Sequence, residues 1–295
     1  MTKRTIKVSV IQQSYSNDID DNKSRIKTAI IQAAKQGANL ILLPELHNTP
    51  YFCQTENHDN FDYAEPIPGQ STEWFSVIAK ENNLVIVASL FEKRAAGLYH
   101  NTAVVFETDG SIAGTYRKMH IPDDPGFYEK FYFTPGDQGF VPVKTSIGKL
   151  GILICWDQWF PEAARLMTLA GADLLLFPTA IGWDVNDDSS EKSRQKDAWL
   201  TVQRGHAIAN ALPVIVANRH GHELDPSIVT EGIDFWGNSF ICGTQGEILA
   251  QTQQSDCILT VEVDMSRTET TRRIWPFLRD RRTDSYYDLI RQYID

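Results

Sequence analysis

The sequence predicts an α/β protein folded as a four-layer α-β-β-α sandwich, with two halves that repeat one another. Three observations predict it. Segments of the first half return in the second about 129 to 137 positions later, counted between segment starts. The strand-like runs are apolar throughout, the pattern of strands buried on both faces. Each half also contains a β-hairpin, which supplies antiparallel strands that a purely parallel sheet lacks.

The elements follow in chain order. MTKRTIKVSVIQQ reads as a first strand, because no long apolar region or small-residue cleavage site follows its two leading basic residues. NKSRIKTAIIQAAKQG has helical periodicity, and QGANLILLPEL then brings a glycine, an apolar strand and a proline. STEWFSVIAKENN is a further helix, LVIVASLFE a buried strand, and HNTAVVFETDGSIAGTYRK a hairpin with a D-G turn. The second half opens on the strand GILI and the helix PEAARLMTLAGA. AGADLLLFPTA then echoes QGANLILLPEL, and SRQKDAWLTVQRGHAIANA supplies another helix. PVIVANRHG echoes LVIVASLFE, and GNSFICGTQGEILAQT is a hairpin with a Q-G turn.

An ordinary doubly wound sheet would share the alternation of strands and helices. The paired hairpins favour two sheets face to face with helices outside. Residues 1–275 are expected to form one domain. Residues 276–295, which take up the end of the basic and aromatic run RRIWPFLRDRR, are expected to be a tail for packing or subunit contact.

Composition excludes several classes. A hydrophobic content of 42% over 295 residues is ordinary for a globular chain. No apolar run approaches the roughly 20 residues a membrane span needs, so a cytoplasmic protein is expected. The net charge of −10 argues against a nucleic-acid or anionic-membrane partner and is compatible with a cationic small molecule. Four cysteines (Cys53, Cys155, Cys242, Cys257) without a C-x-x-C pair read as free thiols. His220 and His222 flank a glycine but lack cysteine or acidic partners at ligand spacing, so no metal and no cofactor is expected. The G-x-S-x-G, G-x-G-x-x-G and G-x-x-x-x-G-K-[ST] motifs are absent.

Sites in α/β sheets gather at the carboxyl ends of strands. Glu45 ends LILLP, Thr179 ends LLLFP, Lys118 closes the first hairpin and Cys155 ends GILI. Singly, Glu45, Lys118 and Cys155 each have an ordinary reading: a rim glutamate, a solvated lysine, a small buried hydrophobe. Together they supply a base, an ammonium and a thiol. A thiol becomes a nucleophile when a base takes its proton and a cation stabilises the thiolate, and an ammonium beside it stabilises an oxyanion. Acyl transfer follows, and Cys155 is expected to be alkylated faster than the other three cysteines.

The segments LLPEL, YRKMHIPDDPGFYEKFYFTPGD and ICWDQWFPE resemble the three catalytic blocks of the nitrilase (carbon–nitrogen hydrolase) superfamily, in the same order and spacing. The resemblance covers nearly the whole chain. It implies the α-β-β-α sandwich, with Glu45 as general base, Lys118 as transition-state stabiliser and Cys155 as nucleophile. It also implies that Glu129 holds the lysine or substrate and that the Trp156 N–H completes the oxyanion site. Tyr51 and Thr179 are expected to line the pocket. CWDQWFPEAARLMTLAGADLLLFPTAIG and FLRDRRTDSYYDL are most similar to the N-carbamoylputrescine amidase branch, which implies a small cationic ureido substrate and a role in polyamine biosynthesis. There Asp184, shortly after PTAIG, is the expected partner of the substrate amine. A β-ureidopropionase, an ω-amidase, an aliphatic nitrilase or a non-catalytic scaffold are the alternatives. An anionic substrate would call on Arg194, Arg204 or Arg219. The family commonly forms homo-oligomers.

Overall fold

The computed structural model describes residues 4–225 and 231–294. Fifteen strands are found among them: β1 Thr5–Gln12, β2 Leu40–Leu42, β3 Val85–Ala95, β4 Leu98–Phe106, β5 Ile112–Arg117, β6 Val143–Thr145, β7 Gly148–Ile152, β8 Leu174–Thr179, β9 Gly182–Asp184, β10 Val214–Asn218, β11 His220–Glu223, β12 Ile233–Trp236, β13 Phe240–Cys242, β14 Ile248–Gln251 and β15 Cys257–Asp264. The helices are α1 Ile19–Lys35, α2 Gln70–Asn82, α3 Glu129–Tyr132, α4 Pro161–Leu169, α5 Ser189–Asn210 and α6 Ser266–Ile274.

Twelve of the strands form two six-stranded sheets. One runs β15-β1-β2-β3-β4-β5. Read from its far edge, the other runs β6-β7-β8-β10-β13-β14. The successions agree pair by pair: an antiparallel edge strand, three parallel strands, then two antiparallel ones. The fold is therefore the repeated sandwich, not one doubly wound sheet.

Strand alternation builds the layers. Leu40, Leu42, Val85 and Val87 turn inward and share a core with Leu150, Ile152, Leu174 and Val214 of the other sheet. Ile41, Ile86 and Ala88 turn outward onto Ile26, Ile30, Phe75 and Ile78 of α1 and α2. Burying each such side chain is worth about 1.5–3 kcal/mol, so apolar residues are needed on both faces. Trp199 and Ala207 of α5, with Ala163 and Met167 of α4, cover the outside of the second sheet.

The helix starts are written locally. Asp18 caps α1 by accepting from the Asp21 amide, Asp188 caps α5 by accepting from the Glu191 amide, and Pro161 opens α4. A third, small sheet, β11-β12-β9, was not expected from the sequence. Its strands are three or four residues long and rich in polar side chains, so no period shows. β15 was also missed, because its partner β1 stands at the other end of the chain.

After α6 the chain makes turns of 3-10 helix at Thr283–Ser285 and Tyr287–Ile290. There it leaves Tyr287, Leu289, Ile290 and Tyr293 mostly exposed. Asp295, the last residue of the expected tail, lies outside the described residues. No helix among the described residues is long and apolar enough to cross a membrane.

Candidate active site

Glu45 follows β2 past Pro44, on a turn where Leu46 adopts a left-handed φ of 49°. Its carboxylate is wholly buried. Oε1 accepts from Lys118 Nζ at 2.7 Å and from Asn101 Nδ2 at 2.7 Å. Oε2 is buried without a hydrogen-bond partner among the described residues.

Lys118 comes one residue after β5. Its backbone is pinned by donating to the Asn101 carbonyl at 2.9 Å and accepting from the Gly136 amide at 2.8 Å. A side chain at Gly136 would collide with the Arg117 carbonyl, so only glycine allows that approach. Lys118 Nζ also donates to Glu129 Oε2 at 2.6 Å, and the Tyr51 hydroxyl donates to Glu129 Oε1 at 2.7 Å. One buried ammonium thus sits between two buried carboxylates.

Cys155 stands three residues beyond the end of β7, not at the strand end the sequence suggested. It opens a turn of 3-10 helix, Cys155–Trp159, with a left-handed φ of 42°. Asp157 stabilises this turn. Its Oδ2 accepts from the Ile154 amide at 2.9 Å and the Tyr116 hydroxyl at 2.8 Å. Its Oδ1 takes the His120 amide at 3.0 Å and lies 2.7 Å from His120 Nδ1. Asp157 therefore ties the thiol turn to the strand end that carries Lys118, a role the sequence reasoning missed although CWDQW displays the residue.

The charges act on one another. Burial pushes the Cys155 thiol well above its ordinary range; Glu45 adds to this and Lys118 opposes it. Burial alone would lower the Lys118 pKa, but Glu129 and Glu45 outweigh it and hold it well above its ordinary value. Burial, reinforced by Glu45 and opposed by Lys118, raises Glu129 to about 7.

A cavity of about 530 Å³ opens onto Cys155 and Trp156. Trp159, Trp236 and Phe127 form apolar walls, and Asp124, Asp184, Asp187 and Gln195 add polar groups. No Lys, Arg or His is among the described residues that line it. Asp184 ends β9, with Oδ1 accepting from the Asn186 amide at 2.8 Å and Asn186 Nδ2 at 3.1 Å. Asp187 accepts from Gln195 Nε2 at 3.0 Å; the sequence analysis did not single it out.

Two expected lining residues do not line the cavity. Tyr51 is fully buried and spends its hydroxyl on Glu129. Thr179 is fully buried, its hydroxyl donating to the Phe177 carbonyl at 3.1 Å and to Gln158 Oε1 at 3.5 Å. The three candidate arginines are elsewhere too. Arg194 pairs with Glu191, Arg204 donates to the Gly246 carbonyl, and Arg219 is wholly buried against Glu223. His220 and His222 pair separately with Asp256 and Asp234. All four cysteines are unpaired.

The arrangement places a thiol in a half-enclosed apolar cavity, under the influence of a carboxylate with one unengaged oxygen and of a fixed ammonium. Such a set can move a proton off sulfur and stabilise an oxygen anion formed beside it.

The sequence profile of the family described as Carbon-nitrogen hydrolase matches residues 7–273. A citrullinase of Francisella tularensis is 41% identical over 290 residues, covering 98% of this chain and 99% of that protein. An N-carbamoylputrescine amidase of Arabidopsis thaliana is 41% identical over 295 residues, covering 98% and 96%. The crystal structure of a carbon-nitrogen hydrolase from Helicobacter pylori G27 superposes with a TM-score of 0.97 at 54% identity, covering 99% and 100%.

Proposed function

Since the chain belongs to the carbon-nitrogen hydrolase family, in the nitrilase superfamily, and is an amidohydrolase, we propose that it hydrolyses N-carbamoylputrescine through Glu45, Lys118 and Cys155. Its products are putrescine, carbon dioxide and ammonia, which gives it a role in polyamine biosynthesis. The observation that carries this reading is the make-up of the cavity: among the described residues that line it, Asp124, Asp184 and Asp187 stand without any Lys, Arg or His, which suits a substrate with an ammonium at its far end.

In this reading Glu45 Oε2 takes the Cys155 proton as sulfur attacks the ureido carbonyl. Lys118 and the Trp156 N–H hold the tetrahedral oxyanion. Glu45 returns the proton to departing ammonia, leaving an N-alkylcarbamoyl thioester on Cys155. Water deprotonated by the same carboxylate cleaves the thioester, and the carbamate released loses carbon dioxide to give the amine. Glu129 keeps Lys118 in place and Tyr51 supports Glu129. The tryptophans exclude water, which strengthens the interactions within the site.

The similarity to a citrullinase favours one competitor. Citrulline carries the same ureido group and an ammonium on the equivalent carbon, but its additional carboxylate would meet Asp184 and Asp187 with no Lys, Arg or His among the described residues that line the cavity. Ammonia release from N-carbamoylputrescine, citrulline, N-carbamoyl-β-alanine, a glutamine-type amide and a nitrile tests the reading. N-carbamoylputrescine is expected to give the highest kcat/KM, and a higher value for citrulline overturns the assignment. We also infer a cytoplasmic homo-oligomer. Four unpaired cysteines suit a reducing compartment, and the apolar side chains exposed on the tail suit a subunit contact.

A further inference from the structure

Arg219 and Glu223 are buried charges with no part in the proposed reaction. Arg219 Nη1 lies 2.8 Å from both Glu223 oxygens. Its Nη2 donates to the carbonyls of Glu45 at 2.9 Å, Leu46 at 3.0 Å and Thr49 at 3.4 Å. The guanidinium is enclosed by the rings of Tyr15, Phe235 and Tyr51, at 4.6, 5.3 and 5.7 Å from their centroids. Glu223 Oε2 in turn accepts from the Tyr51 amide at 2.7 Å.

These contacts close a ring. The Glu45 side chain binds Lys118, Lys118 binds Glu129, and Glu129 binds the Tyr51 hydroxyl. The Tyr51 amide binds Glu223, Glu223 binds Arg219, and Arg219 binds the Glu45 carbonyl. We propose that Arg219 and Glu223 are positioning residues for C–N bond cleavage, fixing the Glu45 turn and Tyr51 at the two ends of the Glu45–Lys118–Glu129 chain.

The Glu45 turn needs such a clamp. Leu46 is held at a φ of 49°, a conformation disfavoured for a residue with a side chain, and it persists only where surroundings over-determine it. The Ser89 hydroxyl accepts the Leu46 amide at 3.1 Å, and Arg219 takes the carbonyl on the other side. Arginine suits the place for a geometric reason. Its rigid fork spans a carboxylate and three carbonyls at once, which the compact ammonium of lysine cannot do.

The proposal rests on Glu45 as the base, so its test separates the two. Arg219→Lys, Glu223→Gln and Tyr51→Phe are assayed for kcat and KM, with activity normalised to the folded fraction by circular dichroism. A displacement of the base by about 1 Å lowers kcat about 100-fold, while KM should move less than about threefold because none of the three lines the cavity. Arg219→Lys is expected to show a large loss and Tyr51→Phe a smaller one. A merely structural role would reduce the amount of folded protein and leave kcat per folded molecule intact, and that result overturns the proposal. So does a rise in KM that accounts for the whole loss. If Arg219→Lys does not fold, Glu223→Gln and Tyr51→Phe decide by the same criterion. Full turnover in Glu45→Gln would instead fault the reaction assigned to the site.

Discussion

The backbone amide of Glu45 donates to the carbonyl of Thr179 across 3.3 Å, joining two positions that are equivalent in the two halves. LLPEL and LFPTA end matching strands, so the repeat meets itself beside the site. The scaffold is duplicated there but the chemistry is not. The first half contributes Glu45, Lys118 and Glu129, and the second contributes Cys155, Asp184 and Asp187.

Replacing the thiol tests the nucleophile. Cys155→Ala should abolish ammonia release and keep the fold, because alanine fills much of the same buried space. Circular dichroism together with an ammonia assay checks both halves of the expectation. Residual turnover above about a thousandth of wild type would remove Cys155 from the reaction.

Lys118→Ala separates an oxyanion stabiliser from a merely buried cation. Loss of a preorganised donor lowers kcat by about 10²–10³, with KM nearly unchanged. The variant also leaves Glu45 and Glu129 facing each other without their shared cation, so its thermal midpoint should fall. A variant with wild-type kcat would refute the role.

Glu129 makes stability depend on pH with a defined sign. Its folded pKa is raised from 4.5 to about 7, chiefly by burial. Its contribution is therefore fully present below 4.5 and is lost as pH rises through about 7, because the folded state keeps a proton that the unfolded chain has released. The melting temperature of wild type minus that of Glu129→Gln should shrink between these pH values. A difference that stays flat or widens would contradict the shift.

Asp184 and Asp187 are the expected anchors of the substrate ammonium. A charge-assisted hydrogen bond contributes roughly 1.5–3 kcal/mol, so Asp184→Asn or Asp187→Asn should lower kcat/KM for N-carbamoylputrescine about ten- to a hundredfold. An uncharged ureido analogue should be hydrolysed equally by variant and wild type. Asp187 should matter more, since it is the less exposed of the two and is steadied by Gln195. Equal losses on both substrates would mean that neither residue reads the amine.

Deleting residues 276–295 tests the tail. Tyr287, Ile290 and Tyr293 are 74%, 93% and 80% exposed, and burying them between subunits would account for their chemistry. Light scattering should show a smaller species after truncation. An unchanged mass would assign the tail no role in assembly.

Much of this architecture was legible. LILL, VIVAS, LLLF and VIVA could be strands only of a sheet covered on both sides, and their spacing revealed the repeat. Glu45, Lys118 and Cys155 were visible as residue types following apolar strands, and Glu129 came from the family resemblance alone. What could not be read were partnerships made across long sequence separations. Nothing in ASLFE marks Ser89 as the acceptor of the Leu46 amide. Nothing in HNTAV marks Asn101 as a donor to Glu45. Tyr51 and Thr179 were placed on the cavity wall by the family resemblance, Thr179 also by its place at the end of LLLFP. The chain instead turns both side chains into the protein, where each finds its hydrogen-bond partners. Arg219 stayed a candidate for the alternative of an anionic substrate because the sequence does not say that three carbonyls of a distant turn would occupy it.

The left-handed backbone at Cys155 bears on how this protein can be engineered. A residue with a side chain held there costs on the order of 1–3 kcal/mol, whereas glycine adopts that conformation freely. Among single changes at this position, the one that relieves the backbone most is the one that deletes the thiol. A library ranked by heat resistance alone would therefore favour loss of the proposed nucleophile at position 155, and selection for robustness needs turnover as a second gate.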